Sequence, residues 1–224
     1  MIAGARAVLW DLDGVLVDTG EFHYRAWQQV LDEEGIPFSR DEFQRIFGLH
    51  NTSALERLLG APPDPVTLRR IGDRKEALFR EFIGGRAEPM PGVVEWLRRL
   101  QRRGVLQAVA SSAQPENMEF LVDELGIRGY FDALVSADGM PGKPDPAVFL
   151  EAARRLGVSP ERCVVVEDSF HGLQAARRAG MRCLGVATTH PANMLGAADR
   201  VVERLDELPE NGFDFWLESG ASGA

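Results

Sequence analysis

One stretch of the 224-residue chain decides its fold: Ala7-Val-Leu-Trp-Asp-Leu-Asp-Gly-Val-Leu-Val-Asp-Thr19. Its apolar residues predict a buried strand over 7–17, in which Asp11 and Asp13 are one residue apart. A strand places residues i and i+2 on one face, so the two carboxylates are expected to point the same way. Carboxylates this close repel each other unless a divalent cation or a shared proton neutralises them. An ordinary acidic turn would carry the same pattern, so the pair alone leaves its chemistry open.

The composition indicates a soluble globular protein, with 45% hydrophobic and 26% charged residues. No apolar run reaches the roughly 20 residues of a membrane-spanning helix, and the N-terminus lacks the form of a signal peptide. We therefore expect a cytoplasmic protein with no membrane partner. The formal net charge of −9 argues against a nucleic-acid partner, because binding a phosphate backbone requires a basic face. A small anionic substrate is compatible with this charge, since a local cation reverses the field within a pocket. The sequence does not decide between a monomer and a homodimer.

Two patterns divide the chain. Residues 18–88 show helical periodicity only, and a capping box at Ser39 to Glu42 opens one of the helices. From residue 89, apolar strand-like runs alternate with helical patterns of about ten residues, which predicts βαβ units and a parallel sheet covered on both faces. The predicted fold is α/β: a Rossmann-like three-layer core of residues 1–17 and 89–224, with an all-helical cap domain, residues 18–88, inserted after the first strand.

The boundaries of the predicted elements follow from their capping and breaking residues. Thr19 is predicted to be the N-cap of the first cap helix. Cys163 and Cys183 lie in apolar strand-like runs and are expected to be lone buried thiols. The predicted strands of the second part are 105–111, 133–136, 163–167, 183–187 and 200–202, and the helices are 93–103, 115–125, 145–156 and 170–179.

Side chains suited to phosphate chemistry follow several predicted strands, and ligands of open α/β sheets bind at the carboxyl ends of strands. They are Asp11, Asp13, Ser111, Ser112, Lys143, Glu167 and Asp168. Singly, each has an ordinary explanation: Ser111 caps a helix, Lys143 is a solvated loop lysine, and Asp168 begins a helix. Together, four acids with hydroxyls and an ammonium suit a hard divalent cation and a phosphate.

Four segments resemble, in order, the four motifs of the haloacid dehalogenase superfamily, over nearly the whole chain. They are Asp11-Leu-Asp13-Gly-Val-Leu-Val-Asp-Thr, Ser111, Lys143-Pro and Glu167-Asp168-Ser. The resemblance implies a phosphoric monoester hydrolase in which Asp11 is the nucleophile and forms an aspartyl-phosphate. An aspartate with the ordinary pKa of about 3.9 is ionised at neutral pH and needs no base. Asp13 would protonate the leaving alcohol and then deprotonate water, which requires a raised pKa.

The same resemblance implies a Mg²⁺ cofactor and a small phosphorylated metabolite as the partner. Asp11, the Asp13 backbone carbonyl and Asp168 would hold the ion, with Glu167 as a further or outer ligand. Ser111, Ser112 and Lys143 would hold the phosphoryl oxygens. The dehalogenases that name the superfamily lack the second acid of the first motif, and the presence of Asp13 disfavours that reaction.

The predicted cap is similar to that of the β-phosphoglucomutases, where His23, Trp27 and Lys75 have counterparts. In those mutases a cap arginine and a Ser-Lys-Asn run serve a second phosphate. Asn51 aligns with the arginine, and Ala113-Gln114-Pro115 replaces the run. The loss of two positive charges favours a phosphatase, with a sugar phosphate as the candidate substrate, over a sugar phosphate mutase. A non-catalytic protein that binds a phosphometabolite is a further alternative. The candidate substrate residues are His23, Trp27, Asn51, Lys75 and Gln114.

Overall fold

The computed structural model describes residues 6–214, and its contacts divide the chain into two compact units. One unit consists of the described residues up to Val17 and from Glu88 onward, and the other is Asp18–Ala87. That these units are separate core and cap domains remains a prediction. The elements in chain order are β1 (Ala7–Trp10), α1 (Gly20–Glu33), α2 (Arg40–Ile46), α3 (Asn51–Leu59), α4 (Pro65–Ile83), α5 (Val93–Arg102), β2 (Leu106–Ser111), α6 (Pro115–Glu124), β3 (Ala133–Ser136), α7 (Ala147–Leu156), β4 (Cys163–Glu167), α8 (Phe170–Arg178), β5 (Arg182–Val186) and β6 (Arg200–Val202).

The described part of the first unit contains a six-stranded sheet in the order β3-β2-β1-β4-β5-β6. All neighbouring strands are parallel, which confirms the predicted α/β class. β1 lies between β2 and β4, with Trp10 opposite Val109 on one side and Val166 on the other. The register therefore brings the carboxyl ends of β1, β2 and β4 to one edge, where the residues that follow them meet.

The first strand is shorter than predicted. It ends at Trp10, and Asp11 begins a tight buried turn. Gly14 lies in this turn with a φ of 78°, a left-handed conformation that glycine adopts at little cost. A side chain at this position would also place its Cβ 2.1 Å from the Asp168 carboxylate. The prediction over 7–17 failed because an apolar run does not distinguish a buried turn from a strand.

The other predicted boundaries lie within two residues of those observed. The capping box is confirmed, because the Ser39 side chain accepts from the Glu42 amide and the Glu42 carboxylate accepts from the Ser39 amide. Thr19 precedes α1 but its side chain makes no capping hydrogen bond. Asp18 supplies that bond instead, since its Oδ1 accepts from the Gly20 amide at 3.2 Å.

Aromatic side chains anchor the C-terminal part of the first unit to its sheet. Phe213 is fully buried, with its ring centroid 6.0 Å from that of Trp10 on β1 and 5.0 Å from that of Trp96 on α5. The Trp10 indole also donates to the buried Gln107 side chain at 3.2 Å. These contacts hold β1, and so the turn that follows it, at the centre of the sheet.

The second unit, Asp18–Ala87, consists of α1 to α4 and contains no strand, as predicted. Its core forms mainly between α1 and α4, where Trp27, Leu31 and Phe79 are buried. Within residues 6–214, no helix combines the length and the apolar character that crossing a bilayer requires. Cys163 and Cys183 are buried free thiols, as predicted.

We expect Phe213→Ala to lower the free energy of unfolding by about 3–5 kcal/mol, because it leaves a cavity between two tryptophans. Urea denaturation followed by tryptophan fluorescence measures the loss. The control is Val66→Ala, at a side chain that is 65% exposed, for which we expect a change within about 0.5 kcal/mol. Equal effects of the two variants would contradict the packing described for Phe213.

Candidate active site

An ammonium group links two acids at the carboxyl edge of the sheet. Lys143 Nζ lies 2.7 Å from Asp11 Oδ1 and 2.7 Å from Glu167 Oε2. Asp11 directly follows β1, Glu167 ends β4, and Lys143 comes from the loop between β3 and α7. All three side chains are at most 10% exposed. Three distant parts of the chain thus form one buried charged cluster, as their positions after the strands led us to expect.

Burial changes the acid–base properties of this cluster. It raises the pKa of Asp11 to about 7, with the negative charge of Glu167 acting in the same direction and Lys143 opposing both. The expectation that Asp11 has the ordinary pKa of an aspartate is therefore wrong for its environment among the side chains of this cluster. Burial also acts to lower the pKa of Lys143, but the charges of Asp11 and Glu167 outweigh it and raise that pKa. Lys143 therefore stays an ammonium, and its charge favours the ionised form of Asp11.

Asp168 completes an acidic trio with Asp11 and Glu167. The three residues are buried and each offers a carboxylate oxygen within 4.8 Å of the others. Burial raises the pKa of Asp168 well above its ordinary value, and the charges of Glu167 and Asp11 add to this effect. One ammonium does not balance three carboxylates, so the trio has the charge and the oxygen donors that suit a hard divalent cation. Asp13 is half-buried and is not part of the trio.

The predicted phosphate-binding serines lie at the end of β2, beside β1. Ser111 is fully buried, and its hydroxyl accepts from the Ala113 amide at 3.0 Å. Because the Ser111 oxygen is the acceptor in this bond, the proton of its hydroxyl points toward a different group. The Ser112 hydroxyl is buried and makes no hydrogen bond within the part of the chain that the structure describes. Gln114 follows as the residue before α6, without capping it.

Two threonines that sequence reasoning missed support this edge of the sheet. Thr188 and Thr189 follow β5, the neighbour of β4. The Thr188 hydroxyl donates to the Gly14 carbonyl, and the Thr189 hydroxyl bonds to the Asp168 carboxylate. They satisfy the rule that had selected the other residues, namely polar side chains directly after a strand, so the same signal could have found them.

In the second unit, predicted substrate residues gather around Glu76, an acid that sequence reasoning missed. Lys75 Nζ lies 2.9 Å from Glu76 Oε1 and 3.0 Å from His23 Nδ1, and the Asn51 amide donates to Glu76 Oε1 at 2.9 Å. The Trp27 ring lies 5.4 Å from Lys75 Nζ. Thus His23, Trp27, Asn51 and Lys75 form one cluster, in which Trp27 and Lys75 are buried and the other two are half-buried, whereas Gln114 belongs to the other unit.

The ion pair within this cluster is internally balanced. Burial acts to raise the pKa of Glu76, but the positive charge of Lys75, and then that of His23, outweighs burial and lowers it. Both Lys75 and Glu76 are about 5% exposed. The charge of Lys75 is therefore paired with the carboxylate of Glu76. Helical periodicity in the sequence could not have indicated this ion pair.

The family model for haloacid dehalogenase-like hydrolases matches residues 5–180. The chain belongs to this family. The membership predicted from the four motifs is confirmed, and so is the hydrolase class. The match includes the three acids and the lysine of the buried cluster, so the site described above lies within the part of this hydrolase that defines the family.

Two curated relatives are each 36% identical to this hydrolase. One is the chloroplastic 5-amino-6-(5-phospho-D-ribitylamino)uracil phosphatase of Arabidopsis thaliana, aligned over 93% of this chain but only 57% of that protein. The other is the fructose-1-phosphate phosphatase YqaB of Escherichia coli, aligned over 80% of this chain and 95% of that protein. Among solved structures, β-phosphoglucomutase from Clostridium difficile is similar with a TM-score of 0.87 at 25% identity, covering 96% of this chain and 98% of that one.

We expect Lys143→Met to lower the free energy of unfolding by about 3–5 kcal/mol in metal-free buffer, because it leaves buried carboxylates without their counter-charge. Urea denaturation measures the loss. The control is Arg154→Met, which breaks the exposed pair between Arg154 and Glu151 and is expected to cost less than about 1 kcal/mol. A loss for Lys143→Met no larger than that of the control would contradict the burial of the cluster.

Proposed function

We propose that this hydrolase is a Mg²⁺-dependent phosphatase of a small phosphorylated metabolite, such as a sugar phosphate, and that it acts through an aspartyl-phosphate. The observation that carries the proposal is the Lys143 ammonium 2.7 Å from Asp11, within an acidic trio at the carboxyl edge of the sheet. The two relatives with phosphatase names support the class of reaction. A cytoplasmic location remains a prediction.

Asp11 is the proposed nucleophile. Its carboxylate attacks phosphorus, the bond between phosphorus and the alcohol oxygen breaks, and an aspartyl-phosphate forms. The Lys143 ammonium opposes the rise of the Asp11 pKa that burial causes, and so favours the ionised carboxylate. The remaining N–H group of Lys143 and the hydroxyls of Ser111 and Ser112 stabilise the charge on the phosphoryl oxygens. Asp13, which is half-buried and so accessible to water, protonates the leaving alcohol. It then deprotonates a water molecule whose oxygen attacks phosphorus, so that the bond between Asp11 and phosphorus breaks and inorganic phosphate leaves.

The acidic trio fits magnesium. Asp11 and Asp168 would hold the ion together with the Asp13 carbonyl, and Glu167 would be a further or outer ligand. Thr189 orients Asp168 through its hydroxyl, as supporting hydrogen bonds do for metal ligands. Bound magnesium would neutralise negative charge on the trio and on the phosphoryl group.

A sugar phosphate mutase is the second candidate, favoured by the structural similarity to β-phosphoglucomutase. A mutase must bind a bisphosphorylated intermediate, so it needs positive charge for a second phosphate. In the second unit Lys75 is paired with Glu76, and Asn51 donates to the same carboxylate. The Lys75 charge is thus paired with a carboxylate, and position 51 carries an amide instead of the arginine of the mutases, which supports the phosphatase. A non-catalytic binding protein would not need both acids and the lysine of the reaction.

The first test is phosphate release from a panel of phosphorylated metabolites in the presence of Mg²⁺. We expect net release of inorganic phosphate from at least one sugar phosphate. Interconversion of β-glucose 1-phosphate and glucose 6-phosphate without net phosphate release would instead establish the mutase. Binding without turnover of any compound would favour the non-catalytic alternative.

We expect Asp11→Asn to abolish turnover, because it removes the nucleophile. Asp13→Asn should lower kcat by about 10²–10⁴-fold, the usual contribution of a general acid and base. Circular dichroism checks that both variants fold. The control is Asp32→Asn, at an exposed residue of α1, which should keep the activity of the unaltered protein. An active Asp11→Asn protein would refute the mechanism.

Mg²⁺ should stabilise the folded protein by about 2.7 kcal/mol at a concentration of about 100 times its dissociation constant. Differential scanning calorimetry with and without chelator measures this shift. Asp168→Asn should lose most of the stabilisation, because it removes one charged ligand, whereas Asp32→Asn should keep it. If Mg²⁺ stabilised Asp168→Asn as much as the unaltered protein, the ion would bind at another site.

A further inference from the structure

The Glu167 carboxylate occupies the space where residue 172 has no side chain. A Cβ on Gly172 would lie 2.0 Å from Glu167 Cδ and 2.2 Å from its Oε2, which no real contact allows. Gly172 lies in the first turn of α8, where glycine is a poor helix former. Its backbone is helical, so close approach rather than conformation requires glycine here. The absence of a side chain at position 172 thus makes room for the Glu167 carboxylate.

Ser169 holds the other side of the same carboxylate. Its amide donates to Glu167 Oε1 at 3.1 Å and its hydroxyl donates to the same oxygen at 2.7 Å. The Ser169 hydroxyl in turn accepts from the Gly172 amide at 3.0 Å and so caps α8. One oxygen of Glu167 is thereby committed to the start of the helix, and the carboxylate cannot rotate without breaking these bonds.

The second oxygen, Oε2, is then directed at Lys143, 2.7 Å away. Lys143 also donates to Asp11 at 2.7 Å. An ammonium has three N–H groups, so one remains for a phosphoryl oxygen when two are engaged by the acids. The orientation of that third donor depends on where Glu167 holds the amine. A small movement of Glu167 would displace Lys143 from the nucleophile.

We propose that Ser169 and Gly172 are positioning residues of the reaction, which seat Glu167 on the first turn of α8 so that it aims Lys143 at Asp11 and the phosphoryl group. The proposal rests on the proposed phosphatase function. Ser169 is more than a helix cap. Ser39 caps α2 in the same way and also hydrogen-bonds to a glutamate, Glu42, but that pair is exposed and lies in the other unit.

Kinetics with a substrate found in the metabolite panel test the proposal. Gly172→Ala and Ser169→Ala should each lower kcat by about 10–100-fold, the usual cost of losing a group that orients a catalytic or metal-binding residue. KM should change little, because Glu167 is fully buried and is not expected to contact the substrate. Ser169→Thr keeps the hydroxyl and should restore kcat. An unchanged kcat in both alanine variants, or equal loss in Ser169→Thr and Ser169→Ala, would overturn the proposal.

Matched controls separate positioning from general destabilisation. Gly129→Ala adds a Cβ that meets no atom within 4 Å, and Ser39→Ala removes the equivalent cap of α2. Both should leave kcat unchanged. If they lower kcat as much as the variants at 172 and 169, the effect is a general loss of stability and the proposal fails.

A double-mutant cycle tests the geometry without turnover. Gly172→Ala should lower the urea midpoint of unfolding in the unaltered protein, and should do so far less in Glu167→Ala, where the clashing carboxylate is absent. If Gly172→Ala lowered the urea midpoint equally in both backgrounds, the proposed close packing of Glu167 against Gly172 would be refuted. A protein that releases no phosphate from any compound would refute the proposed function, whereas this cycle would still decide the geometry.

Discussion

The site depends on one buried ammonium between two carboxylates. Lys143 lies 2.7 Å from both Asp11 and Glu167, and without it the two acids would be buried at a steep electrostatic cost. The interaction has a second consequence, since it favours the charged form of Asp11, the proposed nucleophile, whose pKa burial raises to about 7. Stability and the proposed reactivity are thus linked, because the charge that permits burial of Asp11 also favours its ionised form.

The sheet brings these groups together. β1 is the central partner of β2 and β4, so the residues after these three strands share one edge. Phe213 packs against Trp10, the last residue of β1, and so supports the strand that leads into Asp11. The space at Gly14 and at Gly172 then lets the acids approach closely, since a Cβ at either position would overlap a carboxylate. Close packing around β1 and around the acids therefore supports the geometry of the proposed reaction.

The site residues that strand order brings together could be predicted from the sequence, whereas those that tertiary contacts bring together could not. Asp11, Lys143, Glu167 and Asp168 were predictable as neighbours, because parallel strands bring their carboxyl ends to one edge. Glu76 was not predictable, since its importance arises from a contact with Asn51 of α3 and from the bond of its neighbour Lys75 to His23 of α1. The ion pair between Glu76 and Lys75 bears on the proposed substrate, because it occupies the Lys75 charge that a second phosphate would need.

The sequence by itself determined the α/β class, the position of the helical segment and the family, because periodicity, capping residues and ordered motifs are local properties. Tertiary structure alone decided where the first strand ends, the raised pKa of Asp11 and the role of Gly172. Each of these depends on what surrounds a residue: solvent exclusion determines a pKa, and the free space beside a helix determines whether a side chain fits. Such quantities exist only once distant segments have packed together.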